Sequence, residues 1–343
     1  MNTTAVEIIR KGRARRRRRW MAVTLVLAVL ALALCAAMLL LGNTIYPVRV
    51  VAAVLMGEEI KGASFAINTV RLPRMLAGLF AGFAFGVSGY VFQTILRNPL
   101  ANPNVIGITA GSSAAAVFCI IVLQTSKAVT SAASVVAGLL TVLVIYGLAR
   151  GKTFSVGRLV LVGIGIQAMC NSIITYLMMI GKEHNLPAAV RWLTGSLNGV
   201  KMEELSVLMA ACLILMPFVC LLGRQLQLLE LGEQAASALG VRTDFARVFL
   251  MASSVVLAAI ATAVTGPIAA VAFLAGPIAV RLAGTGASNI IPAGLVGAVL
   301  VLAADLAGQF AFQVKFPAGI ITAILGAPYL LYLLVKMNRK GAF

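Results

Sequence analysis

The chain has one histidine, ten acidic residues against 28 basic ones, and two tryptophans in 343 residues, and only 11% of it is charged. Each scarcity excludes something. A soluble protein carries about a quarter charged residues, so 61% hydrophobic residues and a mean hydropathy of +1.02 leave little room for a soluble domain. The histidine, His184, lies between apolar runs, and Asp305 is the one acid well inside such a run, so no catalytic acid–base or nucleophilic set can be assembled. The five cysteines (Cys35, Cys119, Cys170, Cys212, Cys220) are odd in number, lack metal-ligand spacing and sit in apolar stretches. They read as small packing residues, and no metal or cofactor is expected in this chain. The net charge of +18 would suit a nucleic-acid binder. The basic residues, however, are scattered between apolar runs and form no stripe on a folded domain, so nucleic acid is excluded as a partner.

What remains is a polytopic, all-α membrane protein. Ten segments are long enough to cross ~30 Å of hydrocarbon: about 20–42, 73–95, 105–124, 129–149, 158–180, 205–223, 245–265, 270–285, 291–311 and 318–336, of which the eighth, interrupted by Gly276-Pro277, is the weakest. With the N-terminus inside, 19 of the 28 basic residues fall on the inner side, which predicts ten spans with both termini cytoplasmic. Residues 1–19 read as a basic cytoplasmic tail ending in a block of six arginines, Arg13 to Arg19, beside an interfacial Trp20; residues 20–343 read as one transmembrane domain. The block anchors the chain under the positive-inside rule and is compatible with anionic headgroups of the lipid bilayer. Two outer loops carry short amphipathic stretches, 48–56 and 188–197, and one inner loop, 224–244, is long.

The most informative stretch is Arg71 to Ser113. Glycines at 78, 82 and 86 make a smooth helix face that another helix can approach closely in a bilayer. The run contains Gln93 and ends in a polar elbow, Arg97-Asn98-Pro99-Leu100-Ala101-Asn102-Pro103, whose prolines break the helix and free backbone groups that need water or protein. Arg71 and Arg74 sit on the outer side, where basic residues are sparse. They suit an acidic partner or anionic cargo, or else snorkel to headgroups. Asp305, near Gln309, serves transport or bridges within the bundle.

Two nucleotide motifs fail. Gly151-Lys152-Thr153 lacks the preceding glycine and strand of a phosphate loop, and Gly163-Ile164-Gly165 lies within an apolar span. Any ATP hydrolysis therefore falls to another chain. In the inner loop, Gly232 and Gly240 bound a short helix on which Ala235, Ala236 and Leu239 share a mildly apolar face and Glu233 is polar. It suits a groove on a cytoplasmic protein, or is a surface turn.

Together these pieces resemble the permease family of bacterial iron-siderophore, haem and cobalamin importers, the type II ATP-driven importers. The matching residues are Arg71-Leu72-Pro73-Arg74, Gly89, Gln93, the elbow with Gly107 and Gly111, the loop Gly232, Glu233, Ala235 or Ala236, Leu239 and Gly240, then Gly266-Pro267-Ile268, Ala304-Asp305, Pro317-Ala318-Gly319-Ile320 and Gly326-Ala327-Pro328. Departures are Gly276-Pro277 ahead of Arg281, Gln309 in place of an arginine, and Lys315 where many members have an acid. The resemblance implies the type II importer permease fold and a second permease subunit, identical or paralogous. It implies two ATPase subunits, holding ATP and Mg²⁺, that grip the coupling loop, and a solute-binding protein docking at Arg71 and Arg74. Gly78, Gly82, Gly86, Gln93, Asn98 and Pro99 serve helix packing or the path. Phe154, Ser155, Val156 and Gly157 are the candidate inner gate, with the fifth and tenth spans near the path. The alternative is a stand-alone secondary carrier or channel, disfavoured by the dearth of intramembrane acids.

Overall fold

In the computed structural model, residues 3–103, 107–149 and 156–338 are described, and no strand occurs among them. Fourteen α-helices follow in order: α1 (Thr3–Leu40), α2 (Val48–Leu55), α3 (Leu72–Ile95), α4 (Ile108–Phe118), α5 (Lys127–Ala149), α6 (Val156–Ile180), α7 (Leu186–Thr194), α8 (Met202–Leu221), α9 (Gly223–Glu230), α10 (Glu233–Ala238), α11 (Thr243–Thr265), α12 (Ala269–Ala283), α13 (Ile290–Phe310) and α14 (Ala318–Asn338). Two π-helical segments extend them, Phe65–Arg71 leading into α3 and Cys119–Leu123 continuing α4. Seven helices are long and apolar enough to cross a membrane, and Ile108–Leu123, Ala269–Ala283 and Ala318–Leu333 are shorter apolar ones. The ten expected spans are thus all helical. The weakest, α12, has 15 residues, about 22 Å at 1.5 Å per residue.

From Thr3 the helix of α1 runs without a break through the arginines into the first span. Arginine, lysine and alanine are good helix formers, so charge moves the membrane boundary without ending the helix. Ten spans place the arginine block, the elbow after α3, α9, α10 and the end of α14 on one face. The other face carries α2, α7 and the start of α14.

The core is α3, packed most extensively on α13 and then on α11 and α12. Eighteen of its 24 residues are buried. The glycine face explains why. A Cβ on Gly82 would lie 2.6 Å from the Gly297 carbonyl oxygen of α13 and 2.7 Å from the Ala298 Cα; one on Gly86 would strike the Ala293 carbonyl oxygen. Gly297 is equally committed, since its Cβ would strike the Gly82 carbonyl oxygen. The two backbones are in contact, and side-chain volume is excluded from both sides. Gly89 makes the same approach to Ala272 of α12, while Gly78 meets the Leu197 and Leu302 side chains. At the outer rim of the bundle, α6 is the least buried span, with 11% of its apolar window inside.

Gly86→Ala is expected to destabilise the purified chain by at least about 1–3 kcal/mol, because the added methyl meets backbone that cannot relax. Gly147→Ala, where nothing lies within 4 Å of the new Cβ, should be neutral or slightly stabilising. Thermal unfolding of both variants in detergent is the check; equal midpoints would mean that α3 and α13 do not touch.

Candidate functional site

Two sites carry the features that the sequence singles out. The first is on the arginine-rich face. Gly232, with φ +116°, opens α10, and Gly240, with φ +83°, closes it. The Val241 N–H donates to the Ala236 carbonyl at 3.1 Å and the Gly240 N–H to the Ser237 carbonyl at 2.9 Å. This is the Schellman arrangement, in which a left-handed residue turns the chain back on the helix end, and glycine takes that conformation without a Cβ clash. Glu233 accepts a hydrogen bond from the Arg247 guanidinium at 2.8 Å, tying the helix start to α11. Ala236 is fully buried, in a small cluster with Leu229 and Ala246. The expectation of one face shared by Ala235, Ala236 and Leu239 is corrected here. Ala236 turns inward as the seat of the helix, and its outward apolar stripe is Ala235 and Leu239, with Leu239 60% exposed; Leu231, 65% exposed, caps the end of α9 just before the break at Gly232.

The elbow lies beside it. The chain leaves α3 through Arg97 in a left-handed conformation, φ +49°, and the Arg97 guanidinium is the nearest group to Gly232. The Asn98 side-chain oxygen accepts the Leu100 N–H at 2.8 Å, and its carbonyl accepts the Ala101 N–H at 2.9 Å, so the turn satisfies its own backbone. Pro99 is half-buried in a cleft of about 450 Å³ that Gln93, Arg97 and Arg281 also line.

Gln93 repairs a broken helix. Pro277, inside α12, has no N–H to give the Phe273 carbonyl one turn back. Gln93 Nε2 donates to that carbonyl at 2.9 Å, buried, from α3. Gly276 is what admits it, because a Cβ there would strike Gln93 Oε1. The Gly276-Pro277 pair and Gln93 are therefore one structural unit.

The second site is at the opposite end of α3. Arg74 donates from Nε and Nη2 to both oxygens of Asp305, each at 2.8 Å, and Gln309 Nε2 donates to Asp305 at 2.7 Å. The Asp305 side chain is 1% exposed and that of Arg74 18%. Two side chains, one from α3 and one from α13, thus satisfy one buried carboxylate with three hydrogen bonds, and it bridges within the bundle. Arg71 donates to the Leu39 and Leu40 carbonyls at 2.8 and 3.0 Å and to the Thr44 carbonyl at 2.6 Å, and lies over the Tyr46 ring. It caps the end of α1, where a cation meets the carbonyl end of the helix dipole. Both guanidiniums have partners within this chain. Of the candidate gate, Phe154 and Ser155 lie outside the described residues, Val156 begins α6, and Gly157 is exposed.

Sequence reasoning missed a junction of three motifs. On the same face as the Arg74 pair, Cβ atoms on Gly266 and Gly319 would strike the Trp192 and Thr194 carbonyls of α7. Ser196 N–H donates to the Thr265 carbonyl at 2.7 Å and Gly319 N–H to the Gly195 carbonyl at 3.1 Å. The glycines of Gly266-Pro267 and Pro317-Ala318-Gly319 let α11 and α14 close on the end of α7. Only their presence as motifs was visible, since the partners are more than 50 residues apart.

Seven membrane-length apolar helices and three shorter ones, with an exposed short helix on the arginine-rich face, define a multi-pass membrane protein. The family model of the FecCD transport family matches residues 26–336, and the chain belongs to that family. It is 36% identical over 291 residues to the ferric enterobactin transport system permease protein FepG of Escherichia coli K12, covering 84% of this chain and 88% of that one. It is 37% identical to the Fe(3+)-citrate import system permease protein YfmE of Bacillus subtilis 168, covering 96% and 99%, and 30% identical to the vitamin B12 import system permease protein BtuC of Yersinia enterocolitica, covering 78% and 81%. Among solved structures, a metal-chelate type ABC transporter in an inward-facing conformation matches with a TM-score of 0.80 at 28% identity, over 92% of this chain and 99% of that one. The chain is a multi-pass permease subunit of an ATP-driven importer.

Gln93→Leu should cost about 1–3 kcal/mol by stranding the Phe273 carbonyl. Adding Pro277→Ala, which restores an N–H to that carbonyl, should recover most of it; no recovery would dissociate the two residues. Asp305→Ala, leaving Arg74 unpaired, should cost about 3–5 kcal/mol, whereas Arg74→Met with Asp305→Leu should cost far less. A denaturation series in detergent reads both cycles.

Proposed function

We propose that this chain is one of two permease subunits of a bacterial cytoplasmic-membrane importer of ferric siderophores, driven by two cytoplasmic ATPase subunits that bind α10. The observation that carries the reading is the exposed apolar stripe Ala235 and Leu239, with Leu231 exposed just ahead of Gly232. It belongs to a rigidly capped helix on the arginine-rich face, which the positive-inside rule makes cytoplasmic. An apolar ridge of one short helix suits a groove on the ATPase, and the Glu233–Arg247 pair and the Schellman turn link it to α11. Relatives named for ferric enterobactin and Fe(3+)-citrate are more similar than the one named for vitamin B12, which favours an iron chelate as cargo.

The path lies against α6 and α14. In the middle third of α6 the Asn171 side chain is exposed and has no hydrogen-bond partner among the described residues. A bare carboxamide is costly against lipid. This face therefore meets water, cargo or the second permease subunit, with Phe154 to Gly157 gating its inner end. On the opposite face a solute-binding protein docks around α2 and α7, where Arg49 and Lys61 are exposed. Arg71 and Arg74 shape that mouth from within, and ATP and Mg²⁺ stay on the ATPases.

Leu239→Asp puts a charge on the stripe without touching the fold. It should abolish retention of the ATPase in mild detergent and reduce ATP-dependent uptake of ferric siderophore into proteoliposomes at least tenfold, with unfolding unchanged. Normal retention and uptake in this variant would remove α10 from the interface. Uptake by the wild type with no ATPase present, driven by an ion gradient, would identify a secondary carrier instead.

A further inference from the structure

The arginine block is not uniform. Arg13, Arg16, Arg17 and Trp20 are spaced i, i+3, i+4, i+7 and form one stripe of α1. That stripe lines a cleft of about 590 Å³ whose other wall is the turn between α12 and α13. The wall is fixed in place from α1 itself. Arg19 donates to the Leu282 and Arg281 carbonyls at the end of α12, both at 2.9 Å, and Trp20 Nε1 donates to the Ser288 carbonyl at 3.1 Å. Gly286 allows Arg16 to lie close, its missing Cβ being 3.0 Å from Arg16 Cδ.

Two features describe an occupant. No acidic residue lines the cleft, and none of Arg13, Arg16 and Arg17 forms an ion pair among the described residues. Its remaining walls are apolar, from Cys220, Ile290 and Ile291, and it sits where the charged part of α1 gives way to its apolar part. Three cations beside aliphatic side chains match a molecule that carries a phosphate at one end and hydrocarbon at the other.

We propose that this cleft is a discrete binding site for an anionic phospholipid of the leaflet on the arginine-rich face, its phosphate held by Arg13, Arg16 and Arg17 and an acyl chain lying along Ile290 and Ile291. Arg15 and Arg18 lie on the opposite side of α1 and supply an internal control of equal charge.

The test is native mass spectrometry of the full-length chain, purified in detergent and titrated with phosphatidylglycerol or phosphatidylcholine. Wild-type protein should retain phosphatidylglycerol in preference. Arg13→Gln with Arg17→Gln should weaken that retention about tenfold, and Arg15→Gln with Arg18→Gln should leave it within twofold of wild type. Both pairs are exposed, so unfolding midpoints should match. Equal loss in the two pairs would mean diffuse attraction by net charge, and no loss in the first pair would empty the site; either overturns the proposal. In a third arm, millimolar inorganic phosphate is added. Displacement of the lipid by phosphate would show a site for a free anion and would also overturn it.

Discussion

Everything in this bundle rests on the direct backbone contact of α3 with α13. In lipid there is no hydrophobic gain from bringing two apolar helices together, so association depends on how close the atoms come. Gly82 and Gly86 opposite Gly297 and Ala293 bring carbonyl oxygens within van der Waals reach of the facing helix, where no β-carbon could fit. That contact makes α3 the axis of the molecule, and it places Arg74 beside Asp305 at one end and Gln93 beside Pro277 at the other.

A second constraint accounts for the polar side chains. An interruption or end of a helix strands backbone carbonyls, and at three places here a distant side chain takes them up. Arg71 does so for the end of α1, Arg19 for the end of α12 and Gln93 for its middle. The buried Asp305 is satisfied in the same manner, by two neighbours across a helix contact and along a helix turn. The polar groups of the interior thus serve as joints, and the functional surfaces are left to what is exposed: the stripe on α10, the face of α6 and the cleft beside α1.

Much of this was legible in the sequence for physical reasons. Apolar runs bounded by charge gave ten spans to within a few residues, because the bilayer imposes their length. The glycine period of four in α3 implied a close neighbour, and the glycines around 233–238 implied a capped short helix. What was hidden was everything that depends on rotation or on distant partners. A six-residue helix is too short to fix its own phase, so Ala236 was placed with the outward residues although it faces inward. Arg74 looked free because Asp305 is 231 residues away, and the pairing is a product of topology alone. The conformation of residues 3–19 was also hidden, since a positively charged stretch states where the membrane ends and leaves open whether the helix does.

The unit formed by Gln93, Gly276 and Pro277 carries a constraint on how such a chain can change over generations. A carbonyl oxygen has two lone pairs, so the Phe273 oxygen can accept an N–H from position 277 and the Gln93 amide together. A lineage that first replaces the proline passes through a state with a surplus donor, which is tolerated, and can shed the glutamine afterwards. A lineage that first replaces the glutamine passes through a state with a bare acceptor in the interior, and selection acts against it. The route out of this arrangement is therefore ordered, with the proline departing before its partner.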